Sequence, residues 1–237
     1  MKKESCKKLI LVSIFAIAMA FLEAVFVIYL RKLYYPAGFG FPLTFPIEKF
    51  IYSLEILREV ATIIMLVGIG ILVGKKAYEK FAYFIYCFAI WDIFYYVFLK
   101  LALNWPSSIL TWDSLFLIPI QWVGPVLAPI ICSVTMIIFA ICIINFQDKG
   151  SKIKIKLKEW ILLIFGSLII TYTFLCDYGK LMMKGGFFAD IWHLDSNLSF
   201  QQAILAYAPS NYNWLLFILG LGLIIFAIAL FYRRYKK

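Results

Sequence analysis

Six stretches of this chain are apolar for long enough to cross a bilayer, and no other feature limits the fold so strongly. A hydrocarbon core of ~30 Å needs about 20 apolar residues at 1.5 Å per residue. Runs of that kind lie at about Leu9–Leu30, Ile51–Val73, Phe81–Leu103, Gly124–Phe146, Trp160–Cys176 and Trp214–Tyr232. With 64% of residues hydrophobic and 15% charged, a chain of 237 residues has too little polar surface to cover a water-soluble core. The expected fold is all-α: a polytopic membrane helix bundle forming one six-span domain over residues 1–237.

The charges give the bundle an orientation. Of the 23 basic residues, 16 fall in the N-terminal segment, the links after spans two and four, and the C-terminal segment. The positive-inside rule then places both termini in the cytoplasm. The opposite links carry Arg31, Lys32, Lys49, Lys180 and Lys184, while Arg58 and Lys100 lie inside spans. This distribution accounts for the net charge of +10 without a nucleic-acid partner. The first run is followed by Arg31-Lys32 and not by a small-residue cleavage site, so it is expected to remain as a span. Cys6, Cys87, Cys132, Cys142 and Cys176 form no C-x-x-C pair and are expected to act as small buried hydrophobes.

One segment is both apolar and unsuited to a plain helix. Thr111 to Pro129 contains Asp113 and the prolines Pro119, Pro125 and Pro129. Each proline removes a backbone donor, and a freed carbonyl at membrane depth must find a partner within the protein or a water-filled cavity. A Pro-broken or re-entrant element is therefore expected at about 107–122, just before the fourth span.

Two connections on the non-basic side are unusual. Tyr34 to Pro46 is rich in aromatics, Gly and Pro, as suits a loop at headgroup level. The segment at about 178–213 holds the only histidine, His193, between Asp190 and Asp195. Within it, Ser199-Phe200-Gln201-Gln202 predicts a capping box opening a short amphipathic helix. Such a loop can act as a lid, with His193, Asp190 and Asp195 as candidate residues, or simply finish the bundle.

Ionisable side chains inside spans mark a candidate site, because their burial is costly. Glu23, Arg58, Glu59 and Asp92 all fall ~10–14 Å below the outer surface by helical rise. Glu55, Arg58 and Glu59 share a helix face at i, i+3 and i+4; Asp92, Tyr96 and Lys100 follow one another at i, i+4 and i+8. With Asp113, the candidate ligand-binding or proton-coupling set is Glu23, Glu55, Arg58, Glu59, Asp92, Tyr96, Lys100 and Asp113. The competing reading is a set of ion pairs that lock helices together: Arg58 with Glu55 or Glu59, and Lys100 with Asp92 or Asp113. Acids outnumber bases, and Glu23 has no local partner in sequence; that surplus suits proton coupling or general acid chemistry.

Familiar catalytic signatures are missing. One histidine excludes a two-histidine metal site, and neither H-E-x-x-H nor G-x-S-x-G occurs. No cluster of the D-D-x-x-D kind supports a divalent cation, so neither metal nor cofactor is expected. Aromatics at 19%, including Trp105, Trp112 and Trp122, suit interface belts or the walls of a lipid pocket. Close helix packing is expected at Gly68, Gly70 and Gly74 on span two and at Gly220 and Gly222 on span six. No repeat of 20–50 residues stands out, which counts mildly against an inverted-repeat transporter.

Glu23–Pro36, Trp91–Tyr96 and Trp105–Pro129 together resemble a group of small bacterial multi-spanning proteins to which no activity is assigned. The resemblance covers roughly the first 130 residues and implies residence in the bacterial inner (plasma) membrane. The functional expectation is an outer-half acidic and aromatic pocket that binds or transports a small or lipidic ligand. Glu23, Glu59 and Asp92 are its binding or proton-coupling acids, and Arg58 is their counter-ion or an anion contact. Its partners would be membrane lipids and a small-molecule or lipid ligand, with self-association left open. Two alternatives stand beside it. One is an intramembrane enzyme acting on a lipid or isoprenoid, with Asp92 or Glu23 as general acid and Tyr96 orienting the substrate. The other is a structural or assembly subunit whose charges pair with a partner span.

Overall fold

The computed structural model describes residues 1–43, 48–190 and 197–236. Six of its helices are long and apolar enough to cross a membrane: α1 (Lys3–Tyr34), α2 (Lys49–Val73), α3 (Ala77–Leu103), α4 (Leu127–Asp148), α5 (Leu157–Lys184) and α7 (Trp214–Lys236). The expected all-α multi-pass bundle is therefore what forms. A short helix, α6 (Leu198–Leu205), and a two-stranded hairpin, β1 (Trp112–Phe116) with β2 (Trp122–Pro125), complete the described elements apart from a 3-10 turn at Phe187–Asp190.

Helix α3 is the hub, packing against α1, α2 and α4, while α5 pairs with α7. Its mean hydropathy, 1.6, is the lowest of the six, whereas α1, α4 and α7 reach 2.6 to 2.8. Packed on three neighbours, α3 is the most buried of the six spans and can carry polar groups inward. Helices α5 and α7 cross where both lack a side chain. A Cβ on Gly166 would lie 2.6 Å from the Gly220 carbonyl oxygen, so only glycine allows this approach. Gly70 and Gly74 likewise face the backbone of Lys80, but Gly68 and Gly222 face open space and take no part in packing.

Both termini and the basic links gather at one end of the bundle. Asp148, ending α4, accepts hydrogen bonds from the Lys2 N–H and the Ser5 hydroxyl, both at 2.7 Å. Arg234 near the C-terminus pairs with Glu159 at 2.8 Å and donates to the Lys154 carbonyl. Glu79 and Glu159 also accept from backbone N–H groups at the starts of α3 and α5, satisfying donors that a helix leaves open.

At the other end stands the hairpin, in place of the broken helix. Its strands are antiparallel, with Asp113 opposite Gly124 and Ser114 opposite Val123, and a register irregularity between Ser114 and Phe116. The prolines explain the choice. Pro119 lies in the connection between strands, Pro125 ends β2, and Pro129 sits in the first turn of α4, where a missing N–H costs nothing. Cross-strand bonds satisfy backbone groups that the prolines would have orphaned in a helix. The fourth span consequently begins at Leu127 and not at Gly124, which belongs to β2.

Above the hairpin lies a cap. Val123, Tyr178, Met182, Phe187, Ile204 and Tyr207 form a buried apolar cluster, with Phe41 and Ile120 packed on it. The fifth helix runs on to Lys184 to reach this cluster, well past Cys176. Helix α6 is capped by Asn197, whose side chain accepts from the Phe200 N–H at 3.1 Å, so the expected box opening at Ser199 is not the one used. Asparagine two residues earlier offers its oxygen to the same first turn. His193 and Asp195 lie outside the described residues. Asp190 ends the 3-10 turn.

Candidate functional site

A cavity of about 130 Å³ lies between α1, α2, α3 and β1, on the hairpin side of the bundle. Seven of the eight residues singled out by the sequence line it: Glu23, Glu55, Arg58, Glu59, Asp92, Tyr96 and Asp113. The eighth, Lys100, turns away and donates to the carbonyls of Asn104 and Pro106, the latter at 2.9 Å. Its amine satisfies carbonyls just beyond the end of α3, where Asn104 adopts the left-handed conformation (φ 52°).

The cavity is held by four separate anchors. Arg58 pairs with Glu55 on its own helix at 2.8 Å and with Glu23 across on α1. Glu59 accepts from the Leu117 N–H through both oxygens, at 3.1 and 3.0 Å, fastening α2 to the end of β1. Asp92 accepts from the Ser133 hydroxyl of α4 at 2.8 Å. Arg31 lies 2.8 Å from Asp113, and its guanidinium rests against the rings of Phe39 and Trp105, 4.2 and 3.8 Å from their centroids.

The expected pair of Arg58 with Glu55 forms, whereas the expected pair of Lys100 with an acid does not. Glu59 is taken by a backbone N–H and not by Arg58, and Glu23 is the second partner of that arginine. Lys100 pairs with neither Asp92 nor Asp113; the cation beside Asp113 is Arg31. Arg31 read as a flanking charge in sequence, yet it is only 6% exposed. The signal was available: α1 continues to Tyr34, and Glu23, Val27 and Arg31 stand at i, i+4 and i+8, all lining the cavity. Trp91 and Tyr95, from the aromatic stretch around Asp92, also line it, as does Thr62, which had no distinguishing signal.

Neither the fourth span nor the described part of the long outer loop lines the cavity. Span four supports it from behind through Ser133, and the loop covers the hairpin instead. The cap is pinned by Tyr207, whose hydroxyl donates to Asp177 at 3.0 Å; burial, and then the carboxylate beside it, raise the Tyr207 pKa. Burial also pushes the Asp113 carboxyl above its usual range, with the Arg31 guanidinium pulling the other way.

Three buried polar atoms of lining residues have no hydrogen-bond partner among the described residues: Arg31 Nη1, Asp113 Oδ2 and Trp91 Nε1. Two donors and one acceptor are thus left without partners in residues that line one small cavity. No group of three His, Cys, Asp or Glu among the described residues has the arrangement of a metal site.

Fold and cavity together define a multi-pass helical membrane protein with a pocket lined by charged and aromatic residues at one end. The chain matches no protein-family model, no curated protein and no solved structure.

Proposed function

We propose that the protein binds a small ligand in this intramembrane cavity and acts as a carrier for it. The observation that supports this most directly is the set of open hydrogen-bonding atoms on Arg31, Asp113 and Trp91. Leaving such groups unpaired costs about 1–3 kcal/mol each, and a ligand that engages them recovers that energy. The acids on α1, α2 and α3 suit coupling of binding to protons, since Glu23, Glu59 and Asp92 sit on three different helices around one space. A volume of about 130 Å³ favours a small molecule or a lipid head group over an isoprenoid chain, which is why the carrier reading stands ahead of a lipid-modifying enzyme.

The concentration of basic residues at the end opposite the cavity supports cytoplasmic termini and an outward-facing pocket. Together with the resemblance of the first 130 residues to small bacterial membrane proteins, it supports residence in the bacterial inner membrane.

Native mass spectrometry of the protein released from native-lipid nanodiscs tests the proposal. A bound species should appear with the wild type and be lost from an Asp92→Asn, Glu59→Gln double variant. If both proteins are folded and carry only the same bulk lipids, the buried charges are structural ion pairs and the carrier reading fails.

A further inference from the structure

Five carboxylates line the cavity, on Glu23, Glu55, Glu59, Asp92 and Asp113, against two guanidiniums, on Arg31 and Arg58. Two of those acids have no cation within ion-pair distance among the described residues. Asp92 is held by the Ser133 hydroxyl and Glu59 by the Leu117 N–H. A buried carboxylate that stays ionised needs a compensating charge as well as hydrogen bonds, and without one it takes up a proton. The wall beside Asp92 is built from Trp91, Tyr95 and Tyr96, whose ring faces attract a cation.

The open atoms add a second requirement. Asp113 is fully buried and Arg31 is 6% exposed, each keeps one unpartnered atom, and both residues line the cavity. Asp113, which interacts with the Tyr96 hydroxyl as well as with Arg31, can accept from a further donor such as an ammonium group. Arg31 Nη1 and Trp91 Nε1 need an acceptor, which an ammonium group cannot supply. A simple alkylamine satisfies one half of this set, and a simple anion the other half.

Resting on the reading of the cavity as a ligand site, we infer that its ligand is a small organic ammonium compound that also carries an oxygen acceptor, as in an amino alcohol. The ammonium group lies among the carboxylates and aromatic faces, and the oxygen accepts from Arg31 Nη1 and Trp91 Nε1. The same chemistry occurs in free ethanolamine and in the head group of an ethanolamine phospholipid, and about 130 Å³ accommodates either head.

The test uses the full chain in nanodiscs of phosphatidylcholine and phosphatidylglycerol, titrated by calorimetry with ethanolamine, ethylamine and acetate. Ethanolamine should bind at least tenfold more tightly than ethylamine, and acetate should not compete. Trp91→Phe should weaken ethanolamine by a larger factor than ethylamine, which loses only part of its aromatic contact, and Asp92→Asn should weaken both amines. These variants keep the Arg31–Asp113 pair intact, so a folding defect is readily separated by thermal unfolding. In discs that contain phosphatidylethanolamine, retention of that lipid with no response to free ethanolamine identifies the lipid as the source and supports the same chemistry. Equal affinity for ethylamine and ethanolamine overturns the oxygen contact, and preferred binding of acetate overturns the ammonium class. A non-amine species seen by mass spectrometry defeats this inference alone; no bound species under any condition defeats the ligand site itself.

Discussion

Arg31 of α1 and Asp113 of β1, 82 residues apart in the chain, meet at 2.8 Å with the carboxylate fully buried. This pair fixes the hairpin against the first span and forms one wall of the cavity. Removing one partner of a buried pair costs about 3–5 kcal/mol, because the other charge is left uncompensated. Arg31→Met and Asp113→Leu should each destabilise the protein on that scale, and the double variant should lose much less than the sum. A double-mutant cycle on unfolding in detergent measures the difference; additive losses would mean that the two residues do not interact.

The hairpin is also fastened by Glu59. In Glu59→Ala the Leu117 N–H loses both of its acceptors, which should cost about 1–3 kcal/mol, while Glu59→Gln retains one acceptor oxygen and should cost less. Hydrogen exchange at Leu117 reports this directly. Unchanged protection in Glu59→Ala would show that the contact does not hold the strand.

Contact between α5 and α7 depends on Gly166 and Gly220. A Cβ on Gly220 would lie 2.8 Å from the Gly166 carbonyl oxygen, so Gly220→Ala should force the helices apart and lower stability by about 1–3 kcal/mol. Gly222→Ala, facing open space, is the control and should be near neutral or slightly stabilising. Similar melting temperatures for the two variants would rule out a close crossing.

Docking of the cap should depend on alkaline pH. Burial, and then Asp177, hold the Tyr207 pKa above its usual value, so the folded protein keeps this proton more tightly than the unfolded chain does. The contribution is intact below the unfolded value of about 10 and is lost as pH rises beyond it. Thermal unfolding between pH 9 and 11 should show a falling melting temperature, with a shallower fall in Tyr207→Phe. An identical slope in the variant would remove Tyr207 from the effect.

Lys100 should be dispensable for ligand binding. Its amine caps exposed carbonyls at the end of α3, and Lys100→Gln should change stability by no more than about 0.5 kcal/mol while leaving affinity unaltered. A large loss of affinity would restore it to the site.

The six spans, the shared end of the basic links and most of the polar set were legible in sequence. These depend on local quantities: the length of an apolar run, the position of a lysine relative to it, and the rarity of a charge within it. Glu23, Arg58, Glu59 and Asp92 stood out because lipid tolerates such residues only when they face inward, whatever the fold. The prolines between Thr111 and Pro129 likewise excluded a plain helix, since a missing donor is a property of the residue itself.

Tertiary structure decided which charge meets which. Whether Glu59 reaches Arg58 or the Leu117 N–H depends on where β1 lies, and the sequence showed a broken element without showing that its backbone pairs as a hairpin. Whether Arg31 belongs to an exposed link or to the cavity depends on one further turn of α1 and on Asp113 arriving beside it. Hydrophobicity selects the residues that cross the membrane, but the partners of buried polar groups are set by long-range packing. That packing depends on the meeting of distant segments and is written in no single stretch of chain.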